Sequence, residues 1–157
     1  MKISLLVIGK TDVSYLREGI EEYSKRLKHY IAFEFVMIPH LKRTKNLPVE
    51  VQKKKEGDLI LGKIRKGADI ILLDEQGKVM NSREFSGFVE KKTIAGVKEL
   101  VFVVGGAFGF SEELYKVAKG KISLSKMTFS HQLVRLLFLE QLYRAFTIIK
   151  GEPYHND

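Results

Sequence analysis

Residues 100–149 read LVFVVGGAFGFSEELYKVAKGKISLSKMTFSHQLVRLLFLEQLYRAFTII and hold two strand-to-loop-to-helix turns in close succession. Leu100 to Val104 is an apolar, β-branched run of strand length. Gly105, Gly106 and Gly109 follow in a loop with little side-chain bulk, which lets backbone groups approach a ligand closely. Ser111 reads as an N-cap, and Glu112 and Glu113 occupy the first turn, where the helix dipole favours acids. Gly120 is expected at the C′ position that ends this short helix. A second short strand, Lys121 to Leu124, enters the polar turn Ser125-Lys126-Met127-Thr128, and a long apolar helix is expected from about Ser130 to Lys150. Paired turns of this kind build the ligand crevice of an open α/β sheet.

The rest of the chain repeats the alternation. Lys2 to Ile8 is almost wholly apolar, as a central strand covered on both faces should be, and Gly9 ends it. Leu16, Ile20, Tyr23 and Leu27 recur at helical spacing, which predicts a helix over Ser14 to Lys28 capped by Asp12 or Ser14. Phe33 to Ile38 reads as a strand stopped by Pro39. Pro48 suits the first turn of a helix reaching to about Arg65. Asp69 to Leu73 is a strand followed by a polar turn at Gly77. Asn81 with Glu84 forms a capping box ahead of a helix that buries Phe85, Phe88 and Val89. No repeat, linker or low-complexity segment interrupts the pattern. It predicts an α/β fold, a single doubly wound, mostly parallel sheet in one domain over residues 1–157.

Cysteine is absent, so disulfides and thiolate chemistry are excluded, which suits a reducing, cytoplasmic location. The opening MKISLLVIGK is too short in apolar run for a signal peptide. Arg135, Glu140 and Arg144 interrupt the one long apolar segment, so no membrane span is expected. The formal net charge is +8, which suits a polyanionic partner. Residues 40–66 carry nine Lys or Arg against three acids and so supply +6 of that charge. A solvated helix face and a set of phosphate contacts to RNA both account for such a segment.

Several chemistries fall away. Gly109-Phe110-Ser111 lacks the glycine a nucleophile elbow needs two residues on. No Walker A loop is present. Gly105-Gly106-x-x-Gly109 is not the dinucleotide fingerprint, and Ser125 stands where an acid would hold a ribose. His29, His40, His131 and His155 are dispersed, so no metal is expected.

GGAFGFSEEL, LSKMTFSHQLVRLLFLEQLYRAF and the closing GEPYH resemble the bacterial large-subunit (23S) rRNA pseudouridine N3-methyltransferase family, of the knotted SPOUT class. KISLLVIGK and ILLDEQGK extend the likeness over essentially the whole chain. The resemblance implies a C-terminal trefoil knot and S-adenosylmethionine as cofactor. It further implies a homodimer acting on a pseudouridine of 23S rRNA within the assembled ribosome. By resemblance, Leu73, Gly105 and the run Leu124, Ser125, Lys126, Met127, Thr128, Phe129 form the cofactor pocket, with Gly106 and Gly109 in the same glycine loop. Direct methyl transfer asks the protein mainly to align donor and acceptor and to exclude water.

The family's Tyr-His tail is retained as Tyr154-His155, where Tyr154 can stack on a splayed base and His155 can assist loss of the imide proton. Family members often carry a basic residue next, whereas this chain ends Asn156-Asp157, which counts against a phosphate contact there. His131 and Arg135 lie one turn apart beside the cofactor turn. Arg135 is a candidate to bind a phosphate or position the base, and His131 is as readily structural as substrate-facing. The final helix is apolar on more than one face, and a second copy of the chain is the simplest cover for the excess. A SPOUT methyltransferase of another RNA, such as tRNA, and a non-catalytic ribosome-associated RNA-binding dimer are the other readings open at this level.

Overall fold

The computed structural model describes residues 1–156, and Asp157, half of the Asn156-Asp157 ending, lies outside them. Strands and helices alternate as β1 (Lys2–Ile8), α1 (Ser14–Leu27), β2 (Ala32–Ile38), α2 (Val49–Leu61), β3 (Asp69–Val79), α3 (Ser82–Ile94), β4 (Glu99–Val104), α4 (Glu112–Val117), β5 (Gly120–Ser123) and α5 (Leu133–Lys150). The strands form one sheet in the order β2-β1-β4-β3-β5. Every pair of neighbours is parallel, so the expected doubly wound α/β sheet is present.

Alternation along each strand feeds two cores. Ile3, Leu5 and Val7 of β1 face one layer with Leu100 and Phe102 of β4, against apolar residues of α1, α3 and α5. Leu6 and Ile8 face the other, with Val101 and Val103, against Ile60 of α2 and Leu114 of α4. Both faces are buried, which is why β1 shows no polar alternation in sequence. Phe102 and Phe138 meet with ring centroids 4.7 Å apart at the centre of the first layer. Truncating either to alanine should cost about 3–5 kcal/mol.

Helix α5 lies over the sheet between α1 and α3. A Cβ on Gly19 of α1 would stand 2.8 Å from Leu136, and Ser86 of α3 donates to the Ala145 carbonyl at 3.1 Å. Much of the apolar excess of α5 is therefore covered inside the chain. Leu133, Leu137 and Ile148 remain as a partly exposed stripe outside the core.

Local chemistry shifts several boundaries. The capping box at Asn81 is formed, with Glu84 N–H donating to Asn81 and Asn81 N–H to Glu84, both at 2.8 Å. The cap of α1 is neither Asp12 nor Ser14 but Val13, without a side-chain hydrogen bond. Asp12 is occupied elsewhere: its N–H donates to Gln132 Oε1 at 2.9 Å, and its carboxylate accepts from Gln132 Nε2 at 3.2 Å. Gly120 does not cap α4. Ala118 does, in extended conformation, because Lys119 N–H donates to the Ile70 carbonyl at 2.7 Å and draws the chain into the sheet. α5 begins three residues later than expected, with Ser130 Oγ accepting from Leu133 N–H at 3.2 Å. α2 closes at Gly62 rather than near Arg65.

β3 departs most. Leu73 and Lys78 both stand opposite Ile122, so the intervening residues 74–77 bulge out and the strand then resumes. A Cβ on Gly77 would come within 2.6 Å of the Ile122 backbone, so only glycine closes the bulge.

Candidate active site

Leu73 is the register partner of both Val104 and Ile122. Three adjacent strands, β4, β3 and β5, therefore release their loops at one level on the carboxyl edge of the sheet. Parallel α/β sheets bind ligands at this edge. The β4 loop runs 105–111 to the N-cap of α4, where Ser111 Oγ accepts from Leu114 N–H at 3.4 Å. Gly109 N–H returns to the Gly106 carbonyl at 3.2 Å, and Gly109 takes φ +83, so the loop doubles back on itself. The β5 loop is fixed by Ser123 Oγ donating to the Ser125 carbonyl at 2.7 Å and by Met127 N–H donating to Ser125 Oγ at 2.9 Å.

Between these loops lies a cavity of about 610 Å³, within the range of small-molecule sites. Leu73, Gly105, Gly106, Gly109, Leu124, Ser125, Met127, Thr128 and Phe129 line it, so nine of the ten residues read as cofactor-binding share one wall system. Lys126 does not line it. His131 does, at the mouth. Phe108, Met127 and Phe129 leave large apolar surface exposed around the opening. Sequence reading missed Asp74, Glu75, Gln76 and Tyr115 in the lining. Their signal was positional, since three of them directly follow Leu73. Tyr115 Oη donates to Asp74 at 2.6 Å, and burial with this carboxylate pushes the phenol up to about 12.

His131 and Arg135 part company. The His131 residue is exposed, yet partial burial of its ring lowers its pKa from the ordinary histidine value, and the charges of Arg135 and His40 add to the effect. Arg135 is 1% exposed. Its guanidinium donates to the carbonyls of Ile8 (2.7 Å) and Gly9 (2.9 Å), to Thr11 Oγ1 (2.9 Å) and to the carbonyl of His131 (3.0 Å). It turns under the end of β1 and clasps α5 to it, with all three guanidinium nitrogens engaged by acceptors of the protein itself. Burial lowers its pKa as well.

The tail stands at the other end of α5. Eighteen residues of helix separate it from the cavity, about 27 Å along the axis. Gly151 ends the helix at φ +68. Tyr154 then packs on Tyr143 at 4.8 Å, and its hydroxyl reaches Glu140 (3.1 Å) and Tyr23 (3.3 Å). The Arg144 guanidinium lies 4.8 Å from the Tyr154 ring centroid, forms an ion pair with Glu140 at 2.6 Å, and meets His155 Nδ1 at 3.2 Å. Arginine can only donate, so Nδ1 is the acceptor in this contact. Tyr30 anchors the turn through Glu152. Burial, with Tyr23 and Glu140, raises the pKa of Tyr154, so the phenol keeps its proton.

A family model described as "Predicted SPOUT methyltransferase" matches residues 1–155. The chain belongs to the SPOUT methyltransferase family. Two relatives of this SPOUT methyltransferase carry the name "Ribosomal RNA large subunit methyltransferase H". The one from Christiangramia forsetii is 58% identical over 156 residues, 99% of each chain. That from Parabacteroides distasonis is 57% identical over 157 residues, 100% of each. Among solved structures, a probable methyltransferase from Bordetella pertussis Tohama I aligns over 92% of this chain and 94% of its own, with TM-score 0.53 and 11% identity, a likeness of fold. Among the described residues of this SPOUT methyltransferase no group of three His, Cys, Asp or Glu is placed to hold a metal. No helix among them is long and apolar enough to cross a membrane.

Proposed function

We propose that this protein methylates N3 of a pseudouridine in 23S rRNA of the assembled ribosome, using S-adenosylmethionine and acting as a homodimer in the cytoplasm. One observation carries the reading: likeness at 57–58% identity over the entire chain to large-subunit rRNA methyltransferases. The cavity fits the donor. Leu73, Leu124 and Phe129 offer an apolar slot for adenine, the backbone of 123–125 offers donors and acceptors to its ring edge, and the glycine loop 105–109 leaves room for the sulfonium. When bound, the cofactor supplies a methyl group activated on a sulfonium. The residues of the chain align the acceptor and shield the reaction from water.

The acceptor nitrogen must lose its proton. His131 lies on the cavity wall, where burial and the charge of Arg135 lower its pKa and so favour the neutral imidazole, the form that can take that proton. Tyr154 and His155 are too far along α5 to reach the cavity of their own chain. Two copies paired antiparallel along Leu133, Leu137 and Ile148 bring the tail of each to the cavity of the other. In that arrangement the Tyr154 ring stacks on the extruded base. The basic segment 40–66 contacts rRNA phosphates beside the site.

The test is mass spectrometry of rRNA after incubating the protein with S-adenosylmethionine and unmodified ribosomes. A new methyl group on a large-subunit pseudouridine is expected. Methylation of tRNA alone, or of no RNA, would overturn the assignment.

A further inference from the structure

The cavity is acidic in a basic protein. The chain holds 27 Lys and Arg against 19 Asp and Glu, yet Asp74 and Glu75 line the cavity and no Lys or Arg does. Lys121 stands 5.3 Å from the Tyr115 ring centroid and makes no ion pair with Asp74 among the described residues. A third carboxylate lies directly behind the glycine loop. Glu56 of α2 is 5% exposed. Its sole hydrogen bond among the described residues is from Gln52 Nε2 to Oε1, at 3.2 Å, and no cation pairs with it there. The carboxylate is aimed at Gly106: a Cβ built on that glycine would stand 2.6 Å from Oε2 and 3.1 Å from Oε1. Gly106 has no positive φ to explain its being glycine, so the close approach of Glu56 is the reason. The next residue, Gly57, seats α2 against Ser111 at the far end of the loop, where a Cβ would stand 2.4 Å from Oγ. α2 thus presses a buried negative charge onto the thin backbone floor of the cavity.

We propose that Glu56, with Asp74 and Glu75, makes this cavity select the cationic methyl donor over its neutral thioether product. The inference rests on the donor reading above. Methyl transfer removes the sulfonium charge: the S–CH3 bond breaks, its electron pair stays on sulfur, and the methyl carbon bonds to N3 as the N3 proton leaves. Attraction to Glu56 is then lost, and the product is released more readily than the donor. Only the backbone at Gly106 stands between this carboxylate and the cavity, and a charge acting over so short a distance is weakly screened. Glu56 touches neither ligand and acts as a specificity-determining residue through the loop.

Isothermal calorimetry on the full chain, with S-adenosylmethionine and S-adenosylhomocysteine as probes, tests this without turnover. The wild type is expected to bind the sulfonium more tightly. Glu56→Gln, of the same shape, is expected to weaken sulfonium binding roughly three- to tenfold while leaving the thioether within about twofold. Glu56→Asp keeps the charge and should keep the preference even where both affinities fall. Equal weakening of the two ligands by Glu56→Gln would mark a purely structural clasp and overturn the proposal, as would no change in either. If Glu56→Gln does not fold, Asp74→Asn and Glu75→Gln carry the test, and an unchanged preference in both sinks it. Wild type that binds the donor without preference defeats this inference alone. Wild type that binds neither ligand defeats the donor reading with it.

Discussion

Arg135 is the largest side chain withdrawn from solvent, and it satisfies its charge on backbone carbonyls. Sequence placed it one turn from His131 and suggested that it binds a phosphate or positions the base. Nothing in that spacing shows which way a long side chain turns, and the three carbonyls that capture it come from residues 8, 9 and 131, two of them brought near only by the fold. Arg135→Met should therefore act on stability. It removes the guanidinium and strands buried acceptors at the end of β1, at a cost of about 3 kcal/mol or more in a denaturant titration. A loss under about 0.5 kcal/mol, the range of neutral surface changes, would contradict the clasp. The same charge helps hold His131 below the ordinary histidine value. Because the native state favours the neutral ring, the contribution of His131 to stability is full above about pH 6.5 and is lost as pH falls below it. An NMR titration should place the His131 midpoint under 6.5, and a midpoint above it would contradict the partly buried, Arg135-flanked setting of this ring.

At the scale of elements, the strands and the caps at Asn81 and Ser111 were legible because their causes are local. Asn81 with Glu84, and Ser111, each act within a few residues of themselves. Gly120 and Asp12 were misread because of distant partners: the Ile70 carbonyl takes the N–H of Lys119 just before Gly120, and Gln132 takes Asp12 itself. The bulge in β3 was read as a plain turn for the same reason, since its purpose appears only against β5. Two glycines separate these cases experimentally. Gly87 lies inside α3, and a methyl group placed on its Cα would meet nothing within 4 Å, so Gly87→Ala should stabilise the protein by up to about 1 kcal/mol through helix propensity. Gly77 faces the rigid backbone of Ile122. Gly77→Ala should push β3 from β5, lower the melting temperature by several degrees or about 1–3 kcal/mol, and weaken ligand binding in the adjoining cavity. Identical melting temperatures for the two variants would mean the bulge is softer than its geometry implies.

At the scale of the whole molecule, the chain separates the residues proposed above for one site. The cavity wall with His131 sits at the start of α5, and Tyr154 with His155 sits beyond its end, docked on Glu140, Tyr143 and Arg144. Composition showed the apolar excess of α5, though the fold covers most of it between α1 and α3, leaving only the narrow stripe at Leu133, Leu137 and Ile148. The knot and the nucleotide came from family likeness, because threading and substrate identity leave no trace in periodicity. If the stripe is the dimer contact, Leu137→Arg places a charge at its centre and should give a monomer in sedimentation velocity; an unchanged sedimentation coefficient would move the interface elsewhere. The sharper test asks which chain supplies the tail. Gly105→Val disables the cavity, since a Cβ there already meets the Phe110 ring at 3.1 Å, while Tyr154→Ala with His155→Ala disables the tail. Each variant alone should be inactive on ribosomes. Mixed in equal amounts and allowed to exchange subunits, half the dimers pair one of each. When tails cross between chains, every mixed dimer holds one intact cavity beside one intact tail, and turnover returns to about a quarter of wild type. When each tail serves its own chain, no mixed dimer has a complete site, and the mixture stays silent.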